Sequence, residues 1–270
     1  MKEVIREHNA NNLFSVEGKV IMIAGGGGLG TCLGKAFIEN GAHVVFTARR
    51  QMKLDILENE LIECGLKNSD YELYIMDQRN KSEIEKTMAK IKEKNKTIDV
   101  LFNTIGIAPN DTAEDFPEDQ VKNVIDTNLN AVIYTTQVVG KEMIKNRKGK
   151  IINIGSVAGY TPHTYISMPY QAAKAGVHQA TKAFAVAWGK YNVNVNCIAP
   201  TWIRTPMVDD KPENYLKAVV DMHEFGRMAE ADDFVGAGIF LASDASNFIT
   251  GNVLYVDGGW SAGKPVKFDD

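Results

Sequence analysis

The sequence predicts an α/β fold, in which a single domain is built on a doubly wound parallel sheet of about seven strands with helices on both faces. Short apolar runs alternate along the chain with longer amphipathic stretches, and this is the pattern of repeated β-α-β units. The first apolar run leads directly into a glycine-rich turn and a helix, as the first strand does in many folds of this class.

Each strand is predicted from a short apolar run, because strands buried on both faces are continuously apolar rather than alternating. The runs are KVIMIAG (19–25), HVVFTA (43–48), YELYIMD (71–77), VLFNTIG (100–106), KIINIGS (150–156), VNVNCIAP (193–200) and NVLYVDG (252–258). The stretches between them predict helices over 30–40, 51–64, 81–95, 118–147, 171–190 and 231–242.

One domain is predicted over residues 18–262, with an N-terminal tail over 1–17 and a C-terminal tail over 263–270. The chain has no linker, low-complexity segment or internal repeat. The segment 204–230 is polar and interrupts the alternation of strands and helices. Because ligands bind beyond the carboxyl ends of the strands in such folds, this segment is either a lid over the site or a solvated helical insertion.

Composition and charge narrow the classes of function. The chain has 270 residues, 44% of them hydrophobic and 24% charged, and a net charge of −4 at pH 7. That balance does not favour nucleic acid or an anionic membrane, no apolar run approaches the roughly 18 residues of a membrane span, and the N-terminus has no apolar signal core. Cys32, Cys64 and Cys197 have neither zinc-site nor disulfide spacing, which is typical of a reduced cytoplasmic protein without a metal site.

The turn GGGGLG at 25–30 predicts a phosphate-binding loop. Gly25, Gly27 and Gly30 satisfy the G-x-G-x-x-G pattern between a strand and a helix, where close backbone approach lets the helix N-terminal amides bind a pyrophosphate. The alternative is a glycine-rich turn without a ligand, and the position after the first strand argues against it.

The residues that end the second strand predict which dinucleotide binds. A carboxylate for the ribose 2′-hydroxyl is expected about 20 residues beyond the glycines, but the chain has Arg49 and Arg50 there. Guanidinium groups bind a 2′-phosphate, so the sequence favours NADP over NAD, with NAD still possible. The alternative is that the two arginines are solvated at the start of a helix.

A tyrosine, a lysine and a serine predict acid–base chemistry at the same edge of the sheet. Tyr170 and Lys174 are four residues apart in a predicted helix, so their side chains share one face. An ammonium beside a phenol lowers the pKa of the tyrosine from about 10, toward what proton transfer near neutral pH requires. Ser156 ends a buried strand, where its hydroxyl can hold a carbonyl oxygen while Tyr170 transfers the proton.

In this combination and order, the motifs resemble those of the short-chain dehydrogenase/reductase family, and the likeness extends from Asn12 to Gly263. The matching stretches are the glycine loop, Asp77, NTIG (103–106), Asn128 in TNLNAV, NIGS (153–156), YQAAK (170–174), IAPTWIRTPM (198–207) and LASDASNFITGNVLYVDGG (241–259). The resemblance implies a Rossmann-type fold, a nicotinamide dinucleotide as cofactor, and hydride transfer that interconverts a secondary alcohol and a ketone.

The resemblance also implies roles for individual residues. Tyr170 is the implied general acid/base, Lys174 the group that modulates its pKa and binds ribose, and Ser156 the hydroxyl that orients the carbonyl. Asn128 is implied to hold a water that links Lys174 to a proton relay. The residues implied to bind the cofactor are Gly25, Gly28, Leu29, Gly30, Arg49, Arg50, Asp77, Gln78, Asn103, Gly106, Tyr170, Lys174, Pro200, Ile203 and Thr205.

Within that set, the resemblance assigns parts of the dinucleotide to particular residues. Asp77 is implied to contact the adenine, and Asn103 with Gly106 to border the adenosine half. The backbone of Ile203 and the hydroxyl of Thr205 are implied to hold the nicotinamide carboxamide.

Beyond the glycine loop, the chain departs from the family pattern at two turns. Thr104 and Ile105 replace Asn-Ala in the usual Asn-Asn-Ala-Gly, which removes an amide and adds bulk. Thr201 replaces the glycine of the usual Pro-Gly, so that turn forms without the conformational freedom of glycine.

The glycine loop is the largest departure, because it is one residue shorter than the family's Thr-Gly-x-x-x-Gly-x-Gly. Either Ala24 takes the position of the first glycine, or one residue is missing between Gly25 and Gly28. The second alignment keeps the offset of the first strand and makes Gly25, Gly28 and Gly30 the family glycines. A shortened but functional phosphate loop is therefore expected.

Fewer residues of the sequence indicate the substrate than indicate the fold or the cofactor. His163 and Tyr165 either contact the substrate or are ordinary loop residues. Trp202 either forms a wall of the nicotinamide pocket or simply packs in the domain. The opening NNLFSVEGKV (11–20) resembles family members that act on sugar acids and polyols, the gluconate and deoxygluconate dehydrogenases. The alternatives are a 3-oxoacyl-thioester reductase and, in another class, a non-catalytic NADP-binding sensor or scaffold.

The resemblance over 241–259 further implies a homo-oligomer, either a homotetramer or a dimer; the alternative is that this region is plain core. The partner is a small-molecule substrate, and no nucleic acid or membrane is expected. The remaining histidines have no metal-ligand spacing and are assigned no role: His8, His43, His178 and His223.

Overall fold

The structure, a computed structural model, describes residues 9–94, 97–162, 164, 167–205, 208 and 211–263. These residues form the strands β1 Val20–Ala24, β2 His43–Ala48, β3 Tyr71–Ile75, β4 Val100–Asn103, β5 Gly149–Ile154, β6 Val193–Pro200 and β7 Val253–Val256. The seven strands make one sheet in the order β3-β2-β1-β4-β5-β6-β7, and every pairing is parallel. The predicted fold class is confirmed.

Helices cover both faces of this sheet. They are α1 Ala10–Leu13, α2 Gly28–Glu39, α3 Gln51–Glu63, α4 Lys81–Glu93, α5 Glu118–Ile125, α6 Ala131–Asn146, α7 Met168–Trp188, α8 Glu213–Val220 and α9 Val235–Ala242. Successive residues of β1 enter two cores in turn: Ile21 and Ile23 pack under α2 and α9, Met22 and Ala24 under α4 and α6. No helix in the described ranges is both long and apolar enough to cross a membrane.

The sheet has a topological switch point between β1 and β4. The chain builds β1, β2 and β3 toward one edge, and β4 then pairs on the other side of β1, with Ala24 opposite Asn103. At such a point the connections leave neighbouring strands in opposite directions, which opens a crevice at the carboxyl ends. The glycine-rich turn after β1 and the stretch 104–106 after β4 both follow these ends.

The helix predicted over 118–147 is divided in the structure. A π-helical turn over Asp126–Asn130 separates α5 from α6. Such a turn inserts an extra residue into the helical ring, and it redirects the side chains that it carries. The apolar periodicity does not indicate this widening, and Asn128 lies within it.

The predicted N-terminal tail over 1–17 contains folded structure. The side chain of Asn9 caps α1, and the rings of Phe14 and Phe240 lie 6.1 Å apart between centroids. Val16 is buried in the first core. Phe14 and Val16 therefore contact the body of the domain, although residues 9–14 are exposed.

Candidate active site

A cavity of about 250 Å³ opens at the carboxyl ends of β4, β5 and β6, beside the start of α2. It is lined by Leu29, Thr104, Ile105, Gly106, Ile107, Ala108, Ile154, Gly155, Ser156, Tyr170, Lys174, Pro200, Thr201 and Ile203. The structure thus brings Ser156, Tyr170 and Lys174 into one groove. Two predicted substrate residues, His163 and Tyr165, lie outside the described residues.

Lys174 is held behind the tyrosine as a fixed cation. Tyr170 and Lys174 both belong to α7, and the Lys174 ammonium lies 5.7 Å from the centre of the Tyr170 ring. The ammonium is buried and donates a 2.7 Å hydrogen bond to the carbonyl oxygen of Ile154. Burial lowers the pKa of Lys174 to about 8, so the group stays mostly protonated at neutral pH.

The pKa of Tyr170 is shifted upward from its ordinary value, which is opposite to the predicted direction. Burial of the phenol is the larger cause, and a hydrogen bond with Ser156 acts in the lowering direction. The prediction considered the charge of Lys174 but not the cost of removing a phenolate from water. Tyr170 in this structure is a neutral phenol at neutral pH, and it can donate a proton.

Ser156 is fixed at the end of β5 by its neighbours. The amide of Gly155 donates to the carbonyl of Ile198 at 2.8 Å, which continues the β5–β6 ladder up to the serine. The Ser156 Oγ accepts from the amide of Ala158 at 3.1 Å and shares a hydrogen bond with Tyr170. The two hydroxyl groups can therefore meet a single substrate oxygen.

Asn128 joins the π turn to the loop after β4. Its side chain is buried; Nδ2 donates to the carbonyl of Ile107 at 2.7 Å, and Oδ1 accepts from the amide of Ile107 at 2.8 Å. A Cβ on Gly106 would lie 3.7 Å from both Asn128 Oδ1 and Lys174 Nζ. The loop, Asn128 and Lys174 therefore adjoin one another.

Two glycines of the phosphate loop close tightly on Thr104. Gly25 follows β1 with φ +133°, a conformation that favours glycine, whereas Ala24 is still paired in the strand. A Cβ on Gly25 or on Gly30 would lie 2.8 Å from the Thr104 hydroxyl. That hydroxyl donates to the Gly25 carbonyl at 3.1 Å. Thr104, one of the departures from the family pattern, thus fastens the short loop to β4.

The other side of the loop is open. Gly27 is the N-cap of α2 and Gly28 its first residue, and a Cβ on either would meet nothing within 4 Å. The first turn of α2 contains no acidic residue, and its leading amides have no partner within the helix. A helix N-terminus with free space around it fits a phosphate group.

Arg49 and Arg50 are exposed just after β2. Within the part of the chain that the structure describes, neither guanidinium group makes a hydrogen bond or an ion pair. Asp77, the predicted adenine contact, is bound by Arg79 through Nε at 3.0 Å and Nη2 at 2.6 Å. This hydrogen bonding is the main reason that the pKa of Asp77 is lowered, and Arg49 contributes less.

Two predicted cofactor residues direct their side chains into the core rather than into the groove. The Asn103 amide donates to Thr136 at 3.0 Å and to Asn153 at 2.8 Å. Gln78 is buried; in the orientation that satisfies its amide, the nitrogen donates to the carbonyl of Met76 and the oxygen accepts from the backbone amide of Gly25, each at 3.2 Å. Both positions adjoin the groove in sequence, but their side chains support the ends of strands instead of facing a ligand.

The predicted cofactor and substrate residues after β6 differ in whether they line the groove. Pro200 and Ile203 line the groove, whereas Thr205 is exposed at the start of the segment 204–230. Trp202 packs edge-on against Tyr215 of α8, with ring centroids 5.8 Å apart. This contact is of the packing kind that was the alternative to a pocket wall, and the pocket-wall role of Trp202 stays a prediction.

The segment 204–230 is fastened to the end of β6. Ile203 forms a parallel bridge with Ala229. The Thr201 hydroxyl lies 2.7 Å from Nε2 of His223, and Nδ1 of this histidine lies 2.8 Å from the carbonyl of Val219. Because Nδ1 donates to a carbonyl, Nε2 of the neutral ring accepts from Thr201. Thr201, the other departure from the family pattern, therefore anchors this segment.

Two histidines that the sequence analysis left without a role adjoin the site. His178 follows Lys174 by four residues on the same face of α7, and this spacing was an available signal. His223 could not be found from the sequence, because its contact with Thr201 joins two distant segments. Among the described residues, no group of three or more His, Cys, Asp and Glu side chains could hold a metal ion.

Comparison with known proteins gives consistent matches over nearly the whole chain. Residues 23–261 match the family described as enoyl-(acyl carrier protein) reductase. A 2-dehydro-3-deoxy-D-gluconate 5-dehydrogenase of Bacillus subtilis is 34% identical over 255 residues, which are 93% of this chain and 97% of that protein. A 3-oxoacyl-[acyl-carrier-protein] reductase of Thermotoga maritima is 34% identical over 245 residues, 90% of this chain and 98% of that protein.

A solved structure gives the same picture at the level of the fold. The crystal structure of a gluconate 5-dehydrogenase from Burkholderia cenocepacia, in complex with NADP and tartrate, superposes with a TM-score of 0.88. It is 29% identical, and the match covers 95% of this chain and 100% of that one.

Proposed function

The chain belongs to the short-chain dehydrogenase/reductase family, and from this premise we propose that it is an NADP(H)-preferring oxidoreductase that interconverts a secondary alcohol and a ketone on a sugar acid or polyol. The observation that carries the proposal is the meeting of Ser156, Tyr170 and Lys174 in one groove beside the N-terminus of α2.

The side chains in the groove have different roles in proton transfer. The nicotinamide cofactor would supply or accept the hydride. Tyr170 donates its phenolic proton to the substrate oxygen in reduction and removes that proton in oxidation. Ser156 hydrogen-bonds the same oxygen and orients it. The Lys174 cation stabilises the phenolate that remains after proton donation.

The loop and the arginines support NADP as the cofactor. The open space outside Gly27 and Gly28 at the start of α2 would hold the pyrophosphate. Arg49 and Arg50 have uncommitted guanidinium groups at the end of β2, where they would bind a 2′-phosphate. Leu29, Gly106, Pro200 and Ile203 line the groove between these points and the catalytic residues.

The sugar-acid substrate class rests on similarity. The relative from B. subtilis is a 2-dehydro-3-deoxy-D-gluconate dehydrogenase, and the structure from B. cenocepacia is a gluconate 5-dehydrogenase with tartrate bound. The groove itself is lined mainly by apolar residues, among which Ser156 and Tyr170 place hydroxyl groups where they can meet the reacting oxygen of such a substrate.

A substrate screen tests the proposal. The purified protein is assayed with NADP⁺ or NADPH against sugar acids, their keto derivatives, polyols and a 3-oxoacyl thioester, and reduced cofactor is followed by absorbance. Turnover of a sugar acid or polyol is expected, and Tyr170→Phe should lower it by about 10²- to 10⁴-fold while NADP⁺ still binds. Tyr134→Phe, which changes a tyrosine of α6 outside the groove, is the matched control.

Two other outcomes would replace the proposed function. The T. maritima relative favours a 3-oxoacyl-thioester reductase as the second candidate, and turnover of the thioester alone would select it. Tight NADP⁺ binding without turnover of any compound would instead indicate a non-catalytic sensor or scaffold.

We also infer a cytoplasmic homo-oligomer, a tetramer or a dimer. Val186 and Phe248 are large apolar side chains with their surfaces exposed, which is typical of a contact between subunits. The three cysteines are free thiols, which supports a reducing compartment.

A further inference from the structure

The imidazole of His178 fills the turn that carries Ser156. The ring is buried against this turn, which is bounded by Gly155 and Gly159. A Cβ on Gly155 would lie 2.4 Å from Nε2 of the ring, and a Cβ on Gly159 would lie 2.8 Å from Cε1. Such distances leave no room for a side chain, so both glycines permit the backbone to close around the ring.

The ring also provides a partner for the Ser156 backbone. The amide of Gly155 makes the last bond to β6, and the next amide, that of Ser156, donates to Nε2 of His178 at 3.5 Å. This bond is long, but among the described residues it is the one that the buried amide makes with a side chain. Since Nε2 accepts, the neutral ring has its proton on Nδ1.

The ring is held in the neutral form that this bond needs. Burial, together with the smaller effect of the charges of Lys174 and Lys182, lowers the pKa of His178 to about 4. The Tyr255 ring packs edge-on against the imidazole at 6.2 Å between centroids. Near neutral pH, Nε2 of His178 is therefore always unprotonated and can accept the hydrogen bond.

One helix then carries three of the groups that set the geometry of proton transfer. Tyr170, Lys174 and His178 are spaced by four residues on α7, and all three reach the groove or the turn beside it. We propose that His178 is a positioning residue for the reaction: it fixes the Ser156 turn relative to α7, so that the serine hydroxyl and the Tyr170 phenol meet the same substrate oxygen. The inference rests on the proposed function, because the positioned groups are those of the proposed reaction.

The test compares two variants of the full-length protein. His178→Phe keeps an aromatic ring in the turn but removes the acceptor, and His178→Gln restores a polar acceptor near the position of Nε2. Turnover is measured on the substrate found by the screen with saturating cofactor, together with the Kd for NADP⁺ and the Tm. We expect kcat to fall at least about tenfold in His178→Phe and to recover largely in His178→Gln, because small misplacement of reacting groups is costly.

A double-mutant cycle shows whether the effect passes through the serine. If His178 acts by placing Ser156, His178→Phe should cause no further loss of kcat in a Ser156→Ala background. Thr181→Val is the control, because this buried hydroxyl of α7 bonds Asn153 and Val177 and not the Ser156 turn.

The outcomes of these measurements distinguish a positioning role of His178 from a structural one. Additive losses in the cycle, or unchanged kcat in His178→Phe, would overturn the positioning role. Equal losses of kcat, NADP⁺ affinity and Tm in both His178 variants would show that the ring only supports the fold. Absence of turnover by the parent protein on every compound would refute the proposed function first, and is thereby distinguished from a failure of His178 alone.

Discussion

Tyr170 and Lys174 illustrate how burial acts on a catalytic pair. Burial raises the pKa of the phenol and lowers that of the ammonium to about 8, so each group is shifted toward its neutral form. The 2.7 Å bond from Lys174 to the Ile154 carbonyl keeps the ammonium in place. The site is consequently better prepared to give a proton than to take one.

The two directions of the reaction should therefore differ in pH dependence. Reduction needs the phenol, and the raised pKa of Tyr170 keeps it protonated at and above neutral pH. Oxidation needs the phenolate, so its rate should rise with pH, whereas that of reduction should stay level up to about pH 8 and decline above it as Lys174 loses the charge that stabilises the phenolate. Measuring kcat/KM in both directions from about pH 6 to about pH 9 checks this expectation. A decline of the oxidation rate over that range would contradict it.

Arg49 and Arg50 should determine the choice between the two dinucleotides. One charge-assisted hydrogen bond to a 2′-phosphate contributes about 1.5–3 kcal/mol, so replacing both arginines by alanine should weaken NADP⁺ binding by at least about 10- to 150-fold. NAD⁺ lacks that phosphate, and its Kd should hardly change. Fluorescence titration of both cofactors measures the two constants. Tighter binding of NAD⁺ than of NADP⁺ by the parent protein would refute the NADP preference.

At the scale of elements, the phosphate loop combines closed and open sides. Gly25 and Gly30 close on Thr104, and Gly27 and Gly28 face free space. The four consecutive glycines therefore serve two different needs: close packing of the loop on β4, and room for a ligand at the start of α2.

Exchanging single glycines for alanine should separate these needs. Gly28→Ala should leave the Tm unchanged or slightly higher, since alanine favours helix by up to about 1 kcal/mol, but should weaken NADP⁺ binding by filling the open space. Gly30→Ala should lower the Tm, because its Cβ would lie 2.8 Å from the Thr104 hydroxyl. Thermal unfolding and cofactor titration of both variants check the contrast, which equal behaviour of the two would refute.

The strands, most helices and the Ser156/Tyr170/Lys174 group could be predicted from the sequence, because these depend on local periodicity and on motif spacing. The π turn at Asp126–Asn130 could not, since apolar periodicity does not register an inserted residue. The direction of the Tyr170 pKa was predicted wrongly, because burial of one side chain is a property of the folded molecule. The Thr201–His223 contact was also inaccessible, as it joins segments 22 residues apart.

At the scale of the whole molecule, the edge of the sheet formed by β7 carries exposed apolar side chains. β7 pairs only with β6 among the described strands, and the turn before it carries the exposed Phe248. Val186 on α7 is exposed as well. This end of the domain is therefore the face that we expect to meet a second copy of the chain.

Changing Phe248 should alter the assembly without altering the groove. Phe248→Asp places a charge on the expected contact, and burying an unpaired charge opposes association. The variant should elute as a smaller species than the parent in size-exclusion chromatography with light scattering, with its NADP⁺ Kd retained. Ile56→Asp, which changes an exposed apolar residue of α3, is the control. An unchanged mass for Phe248→Asp would argue against this contact.

The bridge between Ile203 and Ala229 bears on how substrate preference can change among related sequences. It closes the base of the intervening segment beside the groove, and the Thr201–His223 bond adds a second attachment nearby. A loop whose ends are fixed tolerates changes of length and composition at little entropic cost. New substrate preferences could accordingly arise by exchange of this one segment, while the sheet, the cofactor loop and the proton-transfer residues are inherited unaltered.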